Sequence, residues 1–229
     1  MSLHLEKFIH VDKTYFLLTA YTGGSFVNEK KNHTLNYIKQ IRKYYPNSYI
    51  VLVDSIPNEE ISNVCDLYVC ELLNNNIPHG QGDLDKIKIG LNILKGLGAT
   101  NVIRSAYDYW MDDNIFNRSQ EWIQLLDNGC KIISSHWRGT SNDPLWDNTI
   151  SSGYGCYNVE AALNLFNFDK IDPVIHFLEV QLHQRLTNMY QPHEYFIYET
   201  CFDMFNSHTY DIFNFAGTIV HQERLNSTL

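Results

Sequence analysis

The sequence predicts an α/β protein with a mostly parallel central sheet that is covered by helices on both faces. Short apolar runs, which are typical of buried strands, alternate with stretches whose apolar residues recur every three or four positions, the spacing of one helix face. Gly and Pro residues mark the boundaries between these segments. Neither an internal repeat nor a long linker divides the 229 residues, so we predict a single domain over residues 1–229.

The first half of the chain alternates most clearly. Its predicted strands cover residues 14–20, 49–53 and 67–70, with a fourth that begins at Asn101. Two predicted helices lie between them, and their apolar stripes consist of Leu35, Ile38, Ile41 and Tyr45 in the first and Leu84, Ile87, Leu91 and Leu94 in the second. Apolar strands that alternate in this way with amphipathic helices indicate a mostly parallel sheet.

The second half is less regular. A short helix is predicted around Trp122 and a strand over residues 131–135, followed by a polar loop over 138–152. Helical patterns then cover residues 159–166, 175–186 and 194–205.

The composition excludes several classes of protein. A hydrophobic content of 44% is that of a globular chain, and no apolar run reaches the roughly 20 residues of a membrane span. The first ten residues lack the order of a signal peptide, so we expect a soluble, cytoplasmic protein. A net charge of −9 argues against nucleic acid as the main ligand. The five cysteines are odd in number and form no Cys-x-x-Cys pair, which favours reduced thiols.

Carboxylates follow the predicted strands at the positions where ligands bind in such sheets. Asp54 directly follows the second strand, Asp108 follows the strand that begins at Asn101, and Asp112 and Asp113 come shortly after. In parallel sheets ligands bind beyond the carboxyl ends of the strands, and carboxylate oxygens there can hold a divalent cation against a diphosphate. The alternative is that these residues cap helices or are solvated loop charges.

The layout resembles the GT-A fold of nucleotide-sugar-dependent glycosyltransferases over most of the chain. Four features carry the resemblance. They are the strand-end turn Thr19-Ala20-Tyr21-Thr22, Asp54 at the end of the second strand, where the family has an acidic residue near the base or ribose, the loop Gly80-Gln81-Gly82 before a helix, and the segment Arg104-Ser105-Ala106-Tyr107-Asp108. The last segment is similar to the Arg-Ser/Thr-x-x-Asp pattern that ends the metal-binding strand in some bacterial and viral polysaccharide enzymes. The resemblance implies a single GT-A-like, Rossmann-related domain.

The resemblance also implies an activity. We expect a glycosyltransferase of polysaccharide or glycan synthesis that moves a sugar from a nucleoside-diphosphate sugar to a glycan, a glycoconjugate or another hydroxyl acceptor. Neither the sugar, the base, the stereochemistry nor the oligomeric state follows from it. The substrate-binding residues that it implies are Thr19, Ala20, Tyr21, Asp54, Asp83, Arg104, Tyr107, His136, Trp137 and Gly153.

The metal site is the point at which the sequence departs from the family. The common signature is Asp-x-Asp, and if Asp108 is its second carboxylate, Ala106 stands in place of the first. Asp108 would then hold Mn²⁺ or Mg²⁺ together with His221, a late histidine like the metal ligand of several GT-A enzymes. Assistance from Asp112 or Asp113 is a second possibility, and metal-free chemistry a third. The lack of a Lys/Arg cluster nearby favours a cation, because the charge of a diphosphate must be offset.

A general base is predicted among the late carboxylates. Glu194 follows Pro192 at the start of the predicted helix, whereas Glu199 lies deeper among apolar residues. We therefore expect Glu194 to deprotonate the acceptor hydroxyl and Glu199 to be structural. The alternative for Glu194 is a solvated charge at a helix start.

Other classes of protein fit less well. The first turn lacks the basic residue of a sugar nucleotidyltransferase, and neither the Gly-x-Gly-x-x-Gly of dehydrogenases nor the Gly-x-Ser-x-Gly of hydrolases occurs. The remaining rival is a catalytically inactive GT-A-like module that binds a sugar or a partner, and Ala106 is the residue that favours it.

Overall fold

We describe the chain from a computed structural model. The described residues are 13–23, 27–71, 80–107, 109–111, 113–137, 149–172, 178–198, 201–202 and 218–221. Within them, the side chains of 109–111, 135–137, 149, 198, 201–202 and 218–221 are left out of the description.

Ten strands and six helices form in this part of the chain. The strands are β1 (Tyr15–Ala20), β2 (Tyr49–Asp54), β3 (Leu67–Cys70), β4 (Asn101–Ala106), β5 (Tyr109–Met111), β6 (Ile132–Trp137), β7 (Thr149–Asn158), β8 (Tyr195–Tyr198), β9 (Cys201–Phe202) and β10 (Thr218–His221). The helices are α1 (Val27–Tyr44), α2 (Glu59–Ser62), α3 (Gln81–Gly96), α4 (Asp113–Asp127), α5 (Val159–Leu165) and α6 (Leu178–Met189).

The main sheet has seven strands in the order β3-β2-β1-β4-β7-β6-β8. Strands β1 to β4 are parallel to one another, and β6 pairs with β8 in parallel. Only β7 among these seven runs the other way, antiparallel to both β4 and β6. The predicted mostly parallel sheet is therefore confirmed. A smaller sheet holds β5, β10 and β9 in that order.

Two apolar layers hold helices against the opposite faces of the main sheet. Alternate residues of β1 point to opposite faces, so Phe16 and Leu18 pack in one layer and Leu17 in the other. The first layer includes residues of α1 and α4, and the second includes residues of α3, α5 and α6. The four apolar residues predicted for the stripe of α3 are all buried in the second layer. Helices thus cover both faces, as the sequence predicts.

The predicted helix over residues 194–205 is wrong. Residues Tyr195–Tyr198 form β8, and Cys201–Phe202 form β9. Tyr195 and Ile197 pack in the core while Phe196 between them is 51% exposed, and this period of two belongs to a strand. Pairing with β6 satisfies the backbone hydrogen-bonding groups of these four residues. The pattern of a single sequence contains no information on that pairing.

Two further boundaries differ from the prediction. The loop predicted over residues 138–152 ends earlier, because residues 149–152 already belong to β7. The short helix predicted around Trp122 extends over Asp113–Asp127. Within the described ranges, none of the helices combines the length and apolar character that crossing a membrane requires.

Candidate functional site

The carboxyl ends of the parallel strands meet at one edge of the main sheet. Strands β1, β2, β4, β6 and β8 end at this edge, and the antiparallel β7 begins there. We call it the carboxyl edge, and the opposite edge the amino edge. Ligands of open α/β sheets bind at the carboxyl edge. Nine of the ten predicted substrate-binding residues lie on strands that end or begin here or directly after them, and the tenth, Asp83, lies in the first turn of α3.

Asp54 organises the loops that follow β1 and β2. Its side chain is fully buried, and its Oδ1 accepts hydrogen bonds from the N–H groups of Thr22 at 3.1 Å, Ser55 at 2.7 Å and Ile56 at 3.3 Å. Its Oδ2 accepts from the Thr22 hydroxyl at 2.6 Å and from the Tyr68 hydroxyl at 3.1 Å. With five donors and no exposed surface, this carboxylate positions the loops and has no surface left to offer a ligand.

The loop that Asp54 fixes presents an aromatic ring. Tyr21 is 40% exposed, and the Lys30 ammonium lies 4.8 Å from the centre of its ring. Gly23 lies two residues later, and a Cβ at that position would come within 1.9 Å of Ile56 Cδ1, so a larger residue would require the Ile56 side chain to move. The turn after β1 therefore exposes an aromatic face over a closely packed pair of loops.

Arg104 is the most unusual side chain at the carboxyl edge. It lies on β4 with no exposed surface, and its Nη2 donates to Thr19 Oγ1 at 3.0 Å and to Asp83 Oδ2 at 2.6 Å. Within the described ranges, its Nε and Nη1 atoms have no hydrogen-bond partner. Buried guanidinium groups normally have all their donors satisfied, so these nitrogen atoms can accommodate further acceptors.

A buried phenol lies next to Arg104. Gly155 pairs with Arg104 across the β4–β7 ladder, and a Cβ at this glycine would lie 2.3 Å from the Tyr157 hydroxyl oxygen. Burial raises the pKa of Tyr157 to about 12, while the positive charge of Arg104 acts in the opposite direction. The phenol is therefore neutral at physiological pH and adds no negative charge beside the guanidinium.

The start of α3 brings further polar groups to the same edge. Gly80 precedes the helix with a φ of 84°, a conformation that favours glycine, and as the N-cap residue it contributes no side-chain hydrogen bond. Lys86, one turn into the helix, is buried and donates from Nζ to the carbonyl oxygen of Ala20 at 2.7 Å. The sequence did not single out Lys86, because lysines on helices are usually solvated.

A second residue that the sequence analysis missed is Glu179. It lies in the first turn of α6, and its Oε1 accepts a hydrogen bond of 2.5 Å from the hydroxyl of Ser152 in β7. Its position near the start of a predicted helix is typical of a solvated charge, so the sequence alone gave no reason to select it.

Four other predicted residues also lie at this edge. The backbones of His136 and Trp137 pair with Ile150 and Thr149 at the end of β6. The Gly153 N–H donates to the Ser151 hydroxyl at 3.0 Å within β7. Tyr107, just after β4, is buried, and its N–H donates to the Thr19 carbonyl at 3.0 Å.

The structure describes some of the predicted metal ligands and not others. Asp108 and Asp112 lie outside the described residues. The backbone of His221 in β10 pairs with Tyr109 in β5, and Tyr109 directly follows Asp108 in the chain. Asp113 begins α4 and accepts a hydrogen bond from the Tyr44 hydroxyl. Among the residues that are described, no three His, Cys, Asp or Glu side chains cluster as metal ligands would.

Glu194 lies at the amino edge, away from the other predicted residues. It precedes β8, and its carbonyl oxygen accepts from the Lys131 N–H at 2.7 Å, just before β6 begins. Its carboxylate is 2.5 Å from the Lys131 ammonium and accepts from the Gln191 N–H at 2.9 Å. The Lys131 hydrogen bond, and then that from Gln191, lower the pKa of Glu194. A carboxylate at this edge with a lowered pKa is poorly suited to act as the base at the carboxyl edge. Glu199 lies outside the described residues.

A cavity of about 300 Å³ also opens at the amino edge. It is lined by Lys13, Thr14, Tyr15, Leu97, Gly98, Thr100, Asn101, Ile123 and Asp127. These residues surround the beginnings of β1 and β4, and none of them belongs to the predicted site.

The comparisons with known proteins establish the fold. No protein-family model and no curated protein sequence matches the chain. The structure is similar to that of a glycosyltransferase involved in the glycosylation of the major capsid of PBCV-1, with a TM-score of 0.54 and 11% sequence identity over 91% of this chain and 93% of that chain. It is also similar to a protein from Desulfovibrio desulfuricans G20 named as a nucleotide-diphospho-sugar transferase, with a TM-score of 0.50 and 9% identity over 81% of this chain and 79% of that chain. The chain therefore has a nucleotide-sugar transferase fold, as the sequence resemblance predicts.

Proposed function

We propose that the protein transfers a sugar from a nucleoside-diphosphate sugar to a hydroxyl group of a glycan or glycoconjugate. The fold supports this proposal, and the observation that carries it is the buried Arg104 guanidinium at the carboxyl edge. Nη2 of this group is engaged by Thr19 and Asp83, while the buried Nε and Nη1 atoms have no hydrogen-bond partner among the described residues. Because these two atoms are buried, the oxygen-rich donor would act on the guanidinium through a bound water and through its charge.

The nucleoside would bind on the turn after β1. The exposed ring of Tyr21 can stack on a base, and Asp54 holds Thr22, the next residue, through two hydrogen bonds. In this proposal Asp54 acts through the loop, because its own carboxylate is buried and satisfied. The role differs from the direct contact with base or ribose that the family resemblance implies.

A divalent cation would complete the donor site. The chemistry of the candidate ligands fits Mn²⁺, because Asp108 would contribute a carboxylate and His221 a neutral imidazole. The pairing of His221 with Tyr109, the residue after Asp108, supports their joint use. When bound, such a cation offsets the negative charge that builds on the departing diphosphate.

A binding experiment tests the donor site. We expect nucleoside diphosphates to bind the parent protein, and the affinity to fall by about tenfold or more in Arg104→Met, since a charge-assisted hydrogen bond contributes about 1.5–3 kcal/mol. Arg118→Met is the matched control, because Arg118 is exposed on α4 and should leave the affinity unchanged. Equal affinities in the parent and Arg104→Met would refute the proposed role of Arg104.

A turnover experiment tests the reaction. The parent is incubated with a panel of nucleoside-diphosphate hexoses, with simple glycosides or water as acceptors, and released nucleoside diphosphate is measured. Release above the uncatalysed rate supports a transferase. Tight binding without release would instead support the inactive binding module, for which the specific observation is Ala106 in place of the first Asp of the common metal motif.

A further inference from the structure

Glu179 lies at the carboxyl edge, on the same face of the sheet as Arg104 and Asp83. Its hydrogen-bond partner Ser152 belongs to β7, between the pair Tyr154–Ser105 with β4 and the pair Ile150–His136 with β6. Ser152 therefore lies where both neighbouring strands end. The Glu179 carboxylate is thereby held above the middle of the carboxyl edge.

The starts of α3 and α6 are packed together, so Asp83 and Glu179 lie in the first turns of two neighbouring helices. A Cβ on Gly80, just before α3, would lie 3.5 Å from the Cβ of Leu178, the residue before Glu179. Gln81 in the first turn of α3 also accepts a hydrogen bond of 3.0 Å from the Ile171 N–H and donates one of 3.1 Å to the Asp169 carbonyl. The two hydrogen bonds hold residues 169–171 against α3, the helix that carries Asp83.

The environment of Glu179 differs from that of Glu194 in the features that a base requires. Glu194 is paired with the Lys131 ammonium at 2.5 Å, whereas the Glu179 carboxylate is bound by a neutral hydroxyl. Within the described part of the chain, the hydrogen bond from Ser152 is the only one that Glu179 receives, and it engages Oε1. The carboxylate is half-buried, so it is oriented but still reachable from solvent.

We propose that Glu179 is the general base of the transfer and that Ser152 positions it. The inference rests on the proposed function. In the step, Glu179 takes the proton of the acceptor hydroxyl as the acceptor oxygen forms a bond to the anomeric carbon. The bond from that carbon to the diphosphate oxygen breaks at the same time, and the diphosphate leaves with the electron pair. The product has the inverted anomeric configuration.

Kinetics of matched carboxylate variants test the assignment. Glu179→Gln should lower kcat by about 10² or more while the affinity for nucleoside diphosphate changes less than about twofold, because a general base acts on the acceptor in the transition state. Glu194→Gln is the matched control at the amino edge and should retain the parent kcat. Ser152→Ala should lower kcat by about three- to tenfold, since it frees the carboxylate without removing it.

The results separate the possible outcomes. If the parent turns over a donor and folded Glu179→Gln does so at a similar rate, or if the product keeps the anomeric configuration of the donor, Glu179 is not the base. If Glu179→Gln does not fold, Glu179→Asp replaces it, and a normal kcat in that shortened variant counts equally against the assignment. If the parent neither binds nucleoside diphosphate nor turns over any donor, the proposed function itself fails, and the assignment fails with it.

Discussion

The Arg104 guanidinium and the Asp83 carboxylate form an ion pair of 2.6 Å that joins β4 to the first turn of α3. The Arg104 side chain is fully buried, whereas the Asp83 side chain is 29% exposed. The pair therefore connects the interior of the sheet with the surface at the carboxyl edge. Because the two partners differ in burial, the loss of each should have a different effect on stability.

The first prediction concerns this asymmetry. Asp83→Ala should reduce the free energy of unfolding by about 2–4 kcal/mol, because it leaves a buried guanidinium without its counter-charge. Arg104→Met should cost less, about 1.5 kcal/mol or below, since an apolar chain of similar length refills the site and Asp83 can turn to water. Urea denaturation measures both values.

Glu60→Ala, which removes the exposed partner of Lys31, is the control and should change stability by about 0.5 kcal/mol at most. A larger loss in Arg104→Met than in Asp83→Ala would contradict the prediction.

The second prediction concerns Asp54. The Asp54 carboxylate accepts five hydrogen bonds. Asp54→Asn replaces one of its oxygen atoms with an amide NH₂ group, which donates hydrogen bonds and cannot accept those of the neighbouring donors. We expect a loss of about 2–4 kcal/mol in the free energy of unfolding, because buried donors are left unsatisfied. Thr22→Val, which removes one hydroxyl donor, should cost about 1 kcal/mol. Calorimetry with nucleoside diphosphate should show weaker binding to Asp54→Asn, since the loop that carries Tyr21 is released. Parent-like stability would mean that the carboxylate does not organise these loops.

Much of the first half of the fold could be predicted from the sequence because its strands are buried on both faces. The residues from Tyr49 to Val53 form a continuous apolar run, and such a run between helical patterns has few other interpretations. The order of the strands also predicted where their carboxyl ends meet, and Asp54 lies at the end of β2 as the sequence predicts. The burial of Asp54 was not predictable, because two of its four donor residues, Thr22 and Tyr68, are separated from it by 32 and 14 positions.

The second half depends on contacts between distant segments. Residues 195–198 fit a helix or a strand by pattern, and pairing with β6 over 60 positions away decides between them. Because such pairing is not visible in local sequence, the sequence did not predict that Glu194 lies at the amino edge or that Glu179 lies at the carboxyl edge. The approach of His221 to Tyr109 likewise depends on the β5–β10 pairing. Local sequence therefore identified residue types suited to the chemistry, but long-range pairing decided which of them meet.

The third prediction concerns the pH dependence of stability at the amino edge. The hydrogen bond from Lys131 lowers the pKa of Glu194 in the folded state, so its stabilising contribution is present above the ordinary carboxyl range and is lost as the pH falls through the lowered pKa. The hydrogen bond to Glu194 raises the pKa of Lys131, whose contribution is lost only as the pH rises through that raised pKa. Melting temperatures of Glu194→Gln should therefore fall less steeply with acidification than those of the parent. Parallel curves for the two proteins would exclude a stabilising ion pair.

The last prediction concerns the cation, for which the pairing of His221 with the residue after Asp108 is the motivating observation. A nucleoside diphosphate at 100 times its Kd should stabilise the parent by about 2.7 kcal/mol when Mn²⁺ is present and much less with a chelator. Asp108→Asn and His221→Ala should each lose this metal-dependent increment, while we expect their melting temperatures without ligand to stay within about 4 °C of that of the parent. His193→Ala is the matched control, because His193 is exposed at the amino edge and should keep the full increment. Differential scanning fluorimetry measures all four proteins under the same conditions. Equal stabilisation of the parent with Mn²⁺ and with chelator would remove the cation from donor binding, and the charge of the diphosphate would then have to be offset by side chains such as Arg104 and Lys30.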